Sequence, residues 1–377
     1  MVGLDRFSVF FKLIEYSYPY LLFFFIVLVT LSLKLRYKNK LFDFFLILLF
    51  VIFAGFKQPF TWDLENYCYM YHNPEILSYT WIEPLFIIFV KILNYFSNDC
   101  NILFAVYQFL TVLFIDLTIR KLPSKQQFLA WIIYISLPFL FLNSFGVEIR
   151  QSLAISILFY AFSNLYYSNN KKLFFILSLL SGFAHYSAFI GSVVLYLVYF
   201  FLYNLNLSAK RKLLILFFAF SMLSIFSSTN DLIVNVIKYL LSWFQFLEKY
   251  SSYFIEAEKL PVIKLVIYIF ISFIALAVSM RVNNKEVVDF SLFFVTGILF
   301  LFIFKDFSPA SRIYMYFSIL QIILIPKIIE YIKPKVFVYS VYFLFYFTQF
   351  IYGLFYIDPQ GNYSFLPYKG LILEIFK

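Results

Sequence analysis

Long apolar segments recur along the whole chain at intervals of roughly 25 residues, and short polar connections separate them. Segments of this length suit helices that cross a hydrocarbon core of ~30 Å. They are too long for the strands of a membrane barrel, which need about 9–11 residues. The pattern predicts an all-α polytopic integral membrane protein with a single transmembrane domain over residues 1–377.

We predict about twelve transmembrane helices from these segments. The first apolar run lacks a small-residue cleavage site and is followed at once by another, so we interpret it as a retained helix. The predicted spans cover residues 18–33, 41–56, 101–119, 128–142, 151–167, 173–184, 188–203, 213–227, 262–280, 287–304, 313–329 and 336–357.

Three segments depart from this regular pattern. Residues 57–80 are polar and aromatic, and we expect a first outer loop that lies at the interface. If 82–96 crossed the membrane completely, the basic connection 120–125 would lie outside, whereas basic connections are typical of the cytoplasmic side. This segment is therefore predicted to be re-entrant or interfacial. The outer insert 229–260 has apolar residues at helical spacing, which predicts an amphipathic helix near 231–250 on the outer membrane surface.

Composition and charge agree with a membrane protein. Hydrophobic residues make up 63% of the chain and charged residues 13%, too little polar surface for a soluble globule. The net charge is +10, yet 17 of the 30 basic residues lie in six short connections, which is typical of cytoplasmic loops. The charge therefore indicates orientation, with both termini outside, and not a nucleic-acid partner. The basic connections are 34–40, 120–125, 171–172, 210–212, 281–285 and 327–335.

Few motifs of known chemistry are present. Cys68 and Cys100 are the only cysteines, and a disulfide between them stays open. His72 and His185 are the only histidines, and no HExxH or Cys/His cluster occurs, so we predict no metal site. The sequence has no P-loop, no GxGxxG and no GxSxG motif, and we predict no cofactor.

Ionisable residues gather in four places at the predicted outer ends of the spans. Charges near the hydrocarbon boundary are costly unless they are paired or line a wet cavity, so their co-location predicts a hydrated site that opens outward. The alternative is that Glu148 pairs with Arg150, and Asp306 with Arg312 or Lys305, simply as interface anchors. The four groups are Asp63, Glu65 and Glu83; Glu148 and Arg150; His185; and Lys305, Asp306 and Arg312.

Arg150 and Arg312 each precede an apolar run and are predicted to open a helix. A cation at this position opposes the helix macrodipole, so an anion is expected nearby, either Glu148 or a phosphorylated ligand. Two such arginines on one face suggest a clamp for pyrophosphate. His185 is either a hydrogen-bonded structural residue or a proton acceptor for a hydroxyl.

The order of several motifs along the chain resembles the EpsG-like family of bacterial polysaccharide polymerases, related to the Wzy-type O-antigen and capsule polymerases. One departure is Trp62, because the family often has a glycine immediately before the first-loop aspartate. The motifs are DLENY at 63–67, WIEPLF at 81–86, EIRQSLAISI at 148–157, AHYSAFI at 184–190 and SRIYMYF at 311–317.

The resemblance implies a membrane glycosyltransferase of the bacterial inner membrane whose site faces the periplasm or cell exterior. It would transfer a growing glycan from undecaprenyl pyrophosphate to a new lipid-linked repeat unit, with a flippase and a Wzz-type chain-length regulator as possible partners. The implied catalytic residues are His185, Arg150, Arg312, Asp63 and Glu83. The implied substrate-binding residues are Glu148, Gln151, Tyr67, Ser187 and Tyr316.

Other functional classes remain open at this point. An O-antigen ligase or another lipid-linked-sugar glycosyltransferase would use a similar donor. A flippase or transporter for lipid-linked glycan would place charges at mid-membrane on broken helices and show internal repeats, neither of which the sequence displays. A membrane protein with only a structural role is the third alternative.

Overall fold

The computed structural model describes residues 6–55, 57, 61–79, 82–138, 140–204, 211–212, 262–282, 284–303, 308–355, 365–366 and 368. The regular secondary structure of this part of the chain is helical and contains no strand, which confirms the predicted all-α class. A short 3-10 helix, Pro74–Tyr79, accompanies the α-helices. Numbered in the order in which they are described, the α-helices are α1 Arg6–Tyr37, α2 Leu41–Gly55, α3 Trp62–His72, α4 Pro84–Phe96, α5 Asn101–Ile119, α6 Ser124–Ser136, α7 Phe141–Gly146, α8 Ile149–Ser168, α9 Lys171–Ala184, α10 Ser187–Asn204, α11 Val262–Arg281, α12 Lys285–Ile303, α13 Ser308–Ser318, α14 Gln321–Ile329 and α15 Lys335–Leu354.

Four helical stretches within the described residues are long and apolar enough to cross a membrane: Tyr16–Tyr37, Asn101–Ile119, Arg312–Ile329 and Lys335–Leu354. The described residues also include shorter apolar helices, among them Leu41–Gly55 and Ser187–Tyr203. The chain is therefore a helical membrane protein. The count of about twelve crossings stays a prediction.

Two predicted continuous spans are broken. The span 128–142 divides into α6 and α7 because Pro138 lacks an N–H donor and disfavours helical geometry in Leu137, which is extended at φ −81° and ψ 113°. The span 313–329 is interrupted by a turn at residues 319–320, and its first helix, α13, begins earlier than predicted, at Ser308.

The segment predicted as a first outer loop, residues 57–80, is more regular than expected, because it contains α3 and the 3-10 helix. Thr61 begins α3, and its hydroxyl accepts a hydrogen bond from the backbone N–H of Leu64. Several predictions lie outside the described residues: the span 213–227, the amphipathic helix near 231–250 within the insert 229–260, and residues Lys305 and Asp306.

Several basic connections meet at one end of the bundle. Lys34 and Arg120 both pair with Asp43, which joins the α1–α2 connection to the α5–α6 connection. Lys121 then donates a 2.9 Å hydrogen bond to Ser163 Oγ near the end of α8. We call this end of the bundle the basic end.

The later connections continue the basic end. The Tyr166 hydroxyl near the end of α8 donates to Asp289 Oδ2 over 2.9 Å, which brings in the start of α12. Lys327 near the end of α14 pairs with Glu286 at the start of α12. The Lys285 ammonium lies 5.2 Å from the ring centroid of Tyr203, near the end of α10. The placement of the basic residues thus follows the pattern that the sequence predicted.

At the opposite end, α3 and α4 are tied to the start of α5. The Tyr71 hydroxyl donates to the Ser97 carbonyl over 2.7 Å, and His72 Nε2 lies 2.8 Å from the Asn98 carbonyl oxygen. A disulfide joins Cys68 to Cys100, with Cα atoms 5.3 Å apart, and decides the question that the sequence left open.

The course of α4 bears on the predicted re-entrant segment. Phe86 and Phe89 near the start of α4 pack against Tyr107, which lies in the second turn of α5, and the end of α4 meets the beginning of α5. At 1.5 Å per residue, the start of α4 therefore reaches only about 10 Å down α5. This geometry favours a segment that enters and returns at one end, although its depth in a membrane stays a prediction.

Candidate functional site

An ion pair between Arg150 and Glu83 lies at the end of the bundle opposite the basic end. Both groups are largely removed from solvent, with 22% of the Arg150 side chain and 5% of the Glu83 side chain exposed. The pair joins residues 67 positions apart in the sequence and so fixes α4 against α8. Breaking such a buried pair leaves an uncompensated charge, which costs about 3–5 kcal/mol.

Local sequence places the two charges. Pro84 at the first position of α4 restricts Glu83 to an extended conformation, φ −61° and ψ 139°, which puts the carboxylate at the helix N-terminus. Arg150 is the second residue of α8 and opposes the dipole of that helix. Glu83 compensates for this cost, because its carboxylate is favoured by the α4 dipole and neutralises the guanidinium.

The Arg150 guanidinium is also held by aromatic rings. It lies 5.2 Å from the ring centroid of Tyr67 and 5.4 Å from that of Phe86. Its Nε donates a 3.4 Å hydrogen bond to the Tyr67 hydroxyl. The cation is therefore positioned by a carboxylate and two aromatic faces, an arrangement that lysine, with a single ammonium group, does not reproduce.

A chain of polar groups continues from Glu83 across the site. His185 Nε2 lies 4.0 Å from Glu83 Oε1, and His185 Nδ1 is 2.8 Å from Ser187 Oγ. The Ser187 backbone N–H also donates to Nδ1 over 3.3 Å, so Nδ1 is an acceptor and the neutral ring carries its proton on Nε2, toward Glu83. Ser187 Oγ is 2.9 Å from the Tyr316 hydroxyl, which brings α13 into the chain.

Glycines allow α9, α10 and α13 to approach one another. His185 lies in the short joint between α9 and α10, and a Cβ at Gly182 would come within 2.3 Å of the Phe189 ring across that joint. A Cβ at Gly191 would lie 2.6 Å from the Tyr316 ring. The small residues around His185 are therefore needed for α9, α10 and α13 to meet at the site.

Asp63 in the first turn of α3 faces the two arginines. Burial raises the pKa of the Asp63 carboxyl, and the positive charges of Arg150 and Arg312 oppose that shift without cancelling it. Within the part of the chain that the structure describes, the Asp63 carboxylate makes no hydrogen bond. It is thus a partly buried acid in the field of two cations.

The place of Arg312 in the fold differs from the prediction. It is the fifth residue of α13, because the helix begins at Ser308, so it does not open a helix as Arg150 does. Its electrostatic influence nevertheless extends to Asp63. Both predicted arginines therefore act electrostatically on Asp63, from different helix positions.

The remaining predicted substrate-binding residues border the same cluster. Glu148 immediately precedes α8, and its Oε2 accepts a 3.0 Å hydrogen bond from Asn143. The Gln151 amide lies 3.3 Å from the Met315 sulfur. The alternative in which Glu148 neutralises Arg150 is wrong, because the cation pairs with Glu83.

Sequence reasoning missed several supporting residues. Asn143 anchors Glu148, Phe86 covers Arg150, and the Thr61 hydroxyl donates to the Gly146 carbonyl over 2.5 Å, which ties α3 to α7. Only Thr61 had a usable signal, as a preferred residue at a helix start. Two other polar residues of the first loop, Glu65 and His72, are exposed. Among the described residues, no group of three His, Cys, Asp or Glu side chains is arranged to bind a metal ion.

Comparison with known proteins identifies a family for this chain. The model of the EpsG family matches residues 40–370, a stretch that includes every residue of the site. The chain belongs to the EpsG family. This family is related to the Wzy-like polysaccharide polymerases, as the motif order predicted. No curated protein and no solved structure matches the chain.

For this EpsG-family protein, we expect Tyr316→Phe to reduce polysaccharide biosynthesis about fivefold, the effect of losing one hydrogen bond worth ~1 kcal/mol. The hydroxyl holds Ser187, which in turn holds His185. The measurement is the length distribution of surface glycan in cells with equal membrane levels of each variant.

Tyr314→Phe is the matched control, because Tyr314 is buried in the same helix and its ring packs on Tyr268 instead. We expect it to leave glycan length unchanged. Equal losses in both variants would show that the Tyr316 hydroxyl has no special part in the site.

Proposed function

We propose that this protein polymerises lipid-pyrophosphate-linked oligosaccharide repeat units into a bacterial surface polysaccharide. One observation carries the proposal: a connected series of polar side chains lies in a protein of the EpsG family. The series is formed by Arg150, Glu83, His185, Ser187 and Tyr316. Arg150 belongs to this series, and both Arg150 and Arg312 act electrostatically on Asp63. Paired cations beside a carboxylate suit the transfer of a group from an anionic leaving group to a hydroxyl.

The orientation of the site is part of the proposal. Connections rich in Lys and Arg are typical of the cytoplasmic side, and the site lies at the other end. The Cys68–Cys100 disulfide, also at the site end, favours an oxidising compartment. Both arguments support an active site that faces the periplasm or cell exterior from the bacterial inner membrane.

In the proposed reaction, an acceptor sugar hydroxyl attacks the anomeric carbon of the glycan on its undecaprenyl pyrophosphate carrier. A carbon–oxygen bond forms to the acceptor, and the bond between the anomeric carbon and the phosphate oxygen breaks. The electron pair of that bond leaves with the pyrophosphate, while the hydroxyl proton passes to a base in the site. The donor is already activated, so the chemistry needs no nucleotide motif.

Arg150 is suited to the leaving group. Its Nη1 pairs with Glu83 and its Nε donates to Tyr67, so Nη2 is the donor that its described contacts leave to a phosphate oxygen. The fork is held in place before substrate arrives, and charge that develops on the pyrophosphate meets a fixed donor. Arg312 adds a second cation from α13.

Asp63 is the proton acceptor that the geometry favours. Its raised pKa makes it a stronger base than an ordinary aspartate, and its carboxylate is not committed to a described hydrogen bond. His185 instead faces Glu83 and Ser187 through its two ring nitrogens. We assign His185 to positioning Glu83, and through it Arg150.

We expect Arg150→Ala to abolish the polymer ladder while a single repeat unit is still attached to the cell surface. The loss removes a transition-state contact typically worth about 10²–10³ in rate. The measurement is a gel of surface glycan from cells in which the variant accumulates in the membrane.

Two further variants sharpen this test. Arg150→Lys keeps the charge but loses the planar fork, and we expect it to restore little polymer. Arg36→Ala, an exposed change at the basic end, is the control that should leave the ladder intact. Loss of even the single repeat unit in Arg150→Ala would favour a ligase or a flippase, and an unchanged ladder would contradict the role of Arg150.

Polymerisation should decline as the pH falls through the pKa of Asp63, because a general base acts in its deprotonated form. Since burial raises that pKa, the decline should begin at a higher pH than for an ordinary aspartate. The measurement is the initial rate of polymerisation against pH, with purified protein in liposomes and a lipid-linked repeat unit.

Asp63→Asn should remove the activity, whereas Glu65→Gln, an exposed change on the same helix, should keep both the rate and its pH dependence. An Asp63→Asn protein that retains the wild-type rate and acid limb would rule out Asp63 as the base.

A further inference from the structure

A cavity of about 310 Å³ opens at the basic end, between the ends of α1 and α5 and the beginnings of α2 and α6. Its volume lies at the lower limit of the ~300–1,000 Å³ that is usual for small-molecule sites. The candidate catalytic cluster is at the opposite end of the bundle, so this cavity has no part in the proposed reaction.

The charges around the cavity are unbalanced. Its lining includes Lys34, Lys38, Lys40 and Arg120 but a single carboxylate, Asp43. Lys34 pairs with Asp43, and Arg120 pairs chiefly with Asp116 behind the lining. The lining cations Lys38 and Lys40 make no side-chain ion pair or hydrogen bond within the described structure. The cavity therefore carries about two positive charges that no described protein group neutralises.

Polar groups and an apolar wall complete the lining. Ser124 contributes a hydroxyl from α6. Gln127 contributes its Oε1 acceptor, because its Nε2 already donates to the carbonyls of Arg120 and Leu122. Leu31, Leu35 and Phe128 form the apolar part. The neighbouring surface is also apolar: Leu41 is 66% exposed and Phe44 65% exposed at the start of α2, where a membrane would cover them. The opening thus lies where a charged layer meets a hydrocarbon layer.

We propose that this cavity binds the phosphate headgroup of an anionic phospholipid from the leaflet that borders the basic end. Lys38 and Lys40 would contact the phosphate, and the Ser124 hydroxyl would donate to it. Gln127 Oε1 would accept from a hydroxyl of the headgroup, and the apolar wall would accommodate the first part of an acyl chain. Basic pockets between transmembrane helices are suited to such headgroups. A freely dissolved phosphate would share the charge contacts but would gain nothing from the apolar wall.

The test measures thermal stabilisation of the full-length protein, purified in a non-ionic detergent, by added short-chain phosphatidylglycerol. Short-chain phosphatidylcholine and inorganic phosphate are titrated in parallel. We expect stabilisation by phosphatidylglycerol at concentrations where neither of the other two has an effect. Equal stabilisation by inorganic phosphate would overturn the lipid assignment in favour of a simple anion site.

A pair of matched double variants locates the binding site. Lys38→Gln combined with Lys40→Gln should weaken the affinity for phosphatidylglycerol about 30-fold, from the contributions of two basic side chains near an anionic group. The control combines Lys171→Gln with Lys172→Gln, which removes the same charge from two exposed lysines of another basic connection. We expect the control to keep wild-type affinity. Equal losses in the two double variants would show a diffuse effect of surface charge and would overturn the proposed site.

Discussion

The buried ion pair between Arg150 and Glu83 is the interaction on which the rest of the site depends. An arginine at the beginning of α8 opposes the dipole of its own helix, and a carboxylate in a largely apolar protein is costly alone. Each charge is tolerated because the other is present. The pair also brings α4 to α8, and with α4 come Phe86 and the connection to α3, which carries Asp63 and Tyr67.

The same constraint explains why the first loop is ordered as it is. Glu83 meets Arg150 only if α4 turns back at the site end. The disulfide and the hydrogen bonds to the carbonyls of residues 97 and 98 fix α3 to the connection between α4 and α5. From the other side, the joint between α9 and α10 presents His185 and Ser187, and α13 presents Tyr316. Elements distant in sequence thus supply one cluster around one charge pair.

Much of this arrangement could be predicted from the sequence, because charges in a membrane protein are few and each has a reason. The residues around Arg150 and His185 were found through their rarity and motif order, and the structure brings them together. The partner of Arg150 could not be found this way. Glu148 is adjacent in sequence, whereas Glu83 becomes a neighbour only through the course of α4, which periodicity does not show.

Helix boundaries were predicted less well where local chemistry overrides hydropathy. Pro138 interrupts an apolar segment that reads as one span, and α3 forms within a segment rich in polar and aromatic residues because Thr61 caps it. Cys68 and Cys100 illustrate a further limit, because two cysteines without a framework do not reveal whether their backbones approach. Here Cys68 lies in α3 and Cys100 immediately precedes α5, and the packing of α3 at the start of α5 brings them together.

The central claim is that Glu83 and Arg150 act as one unit, and a double-mutant cycle on the free energy of unfolding in detergent tests it most directly. Glu83→Gln and Arg150→Gln should each cost roughly 3–5 kcal/mol, because each leaves the other charge buried and unpaired. The double variant should then cost little more than either single change, which gives a large coupling energy. Additive losses, with no coupling between the two positions, would contradict the account.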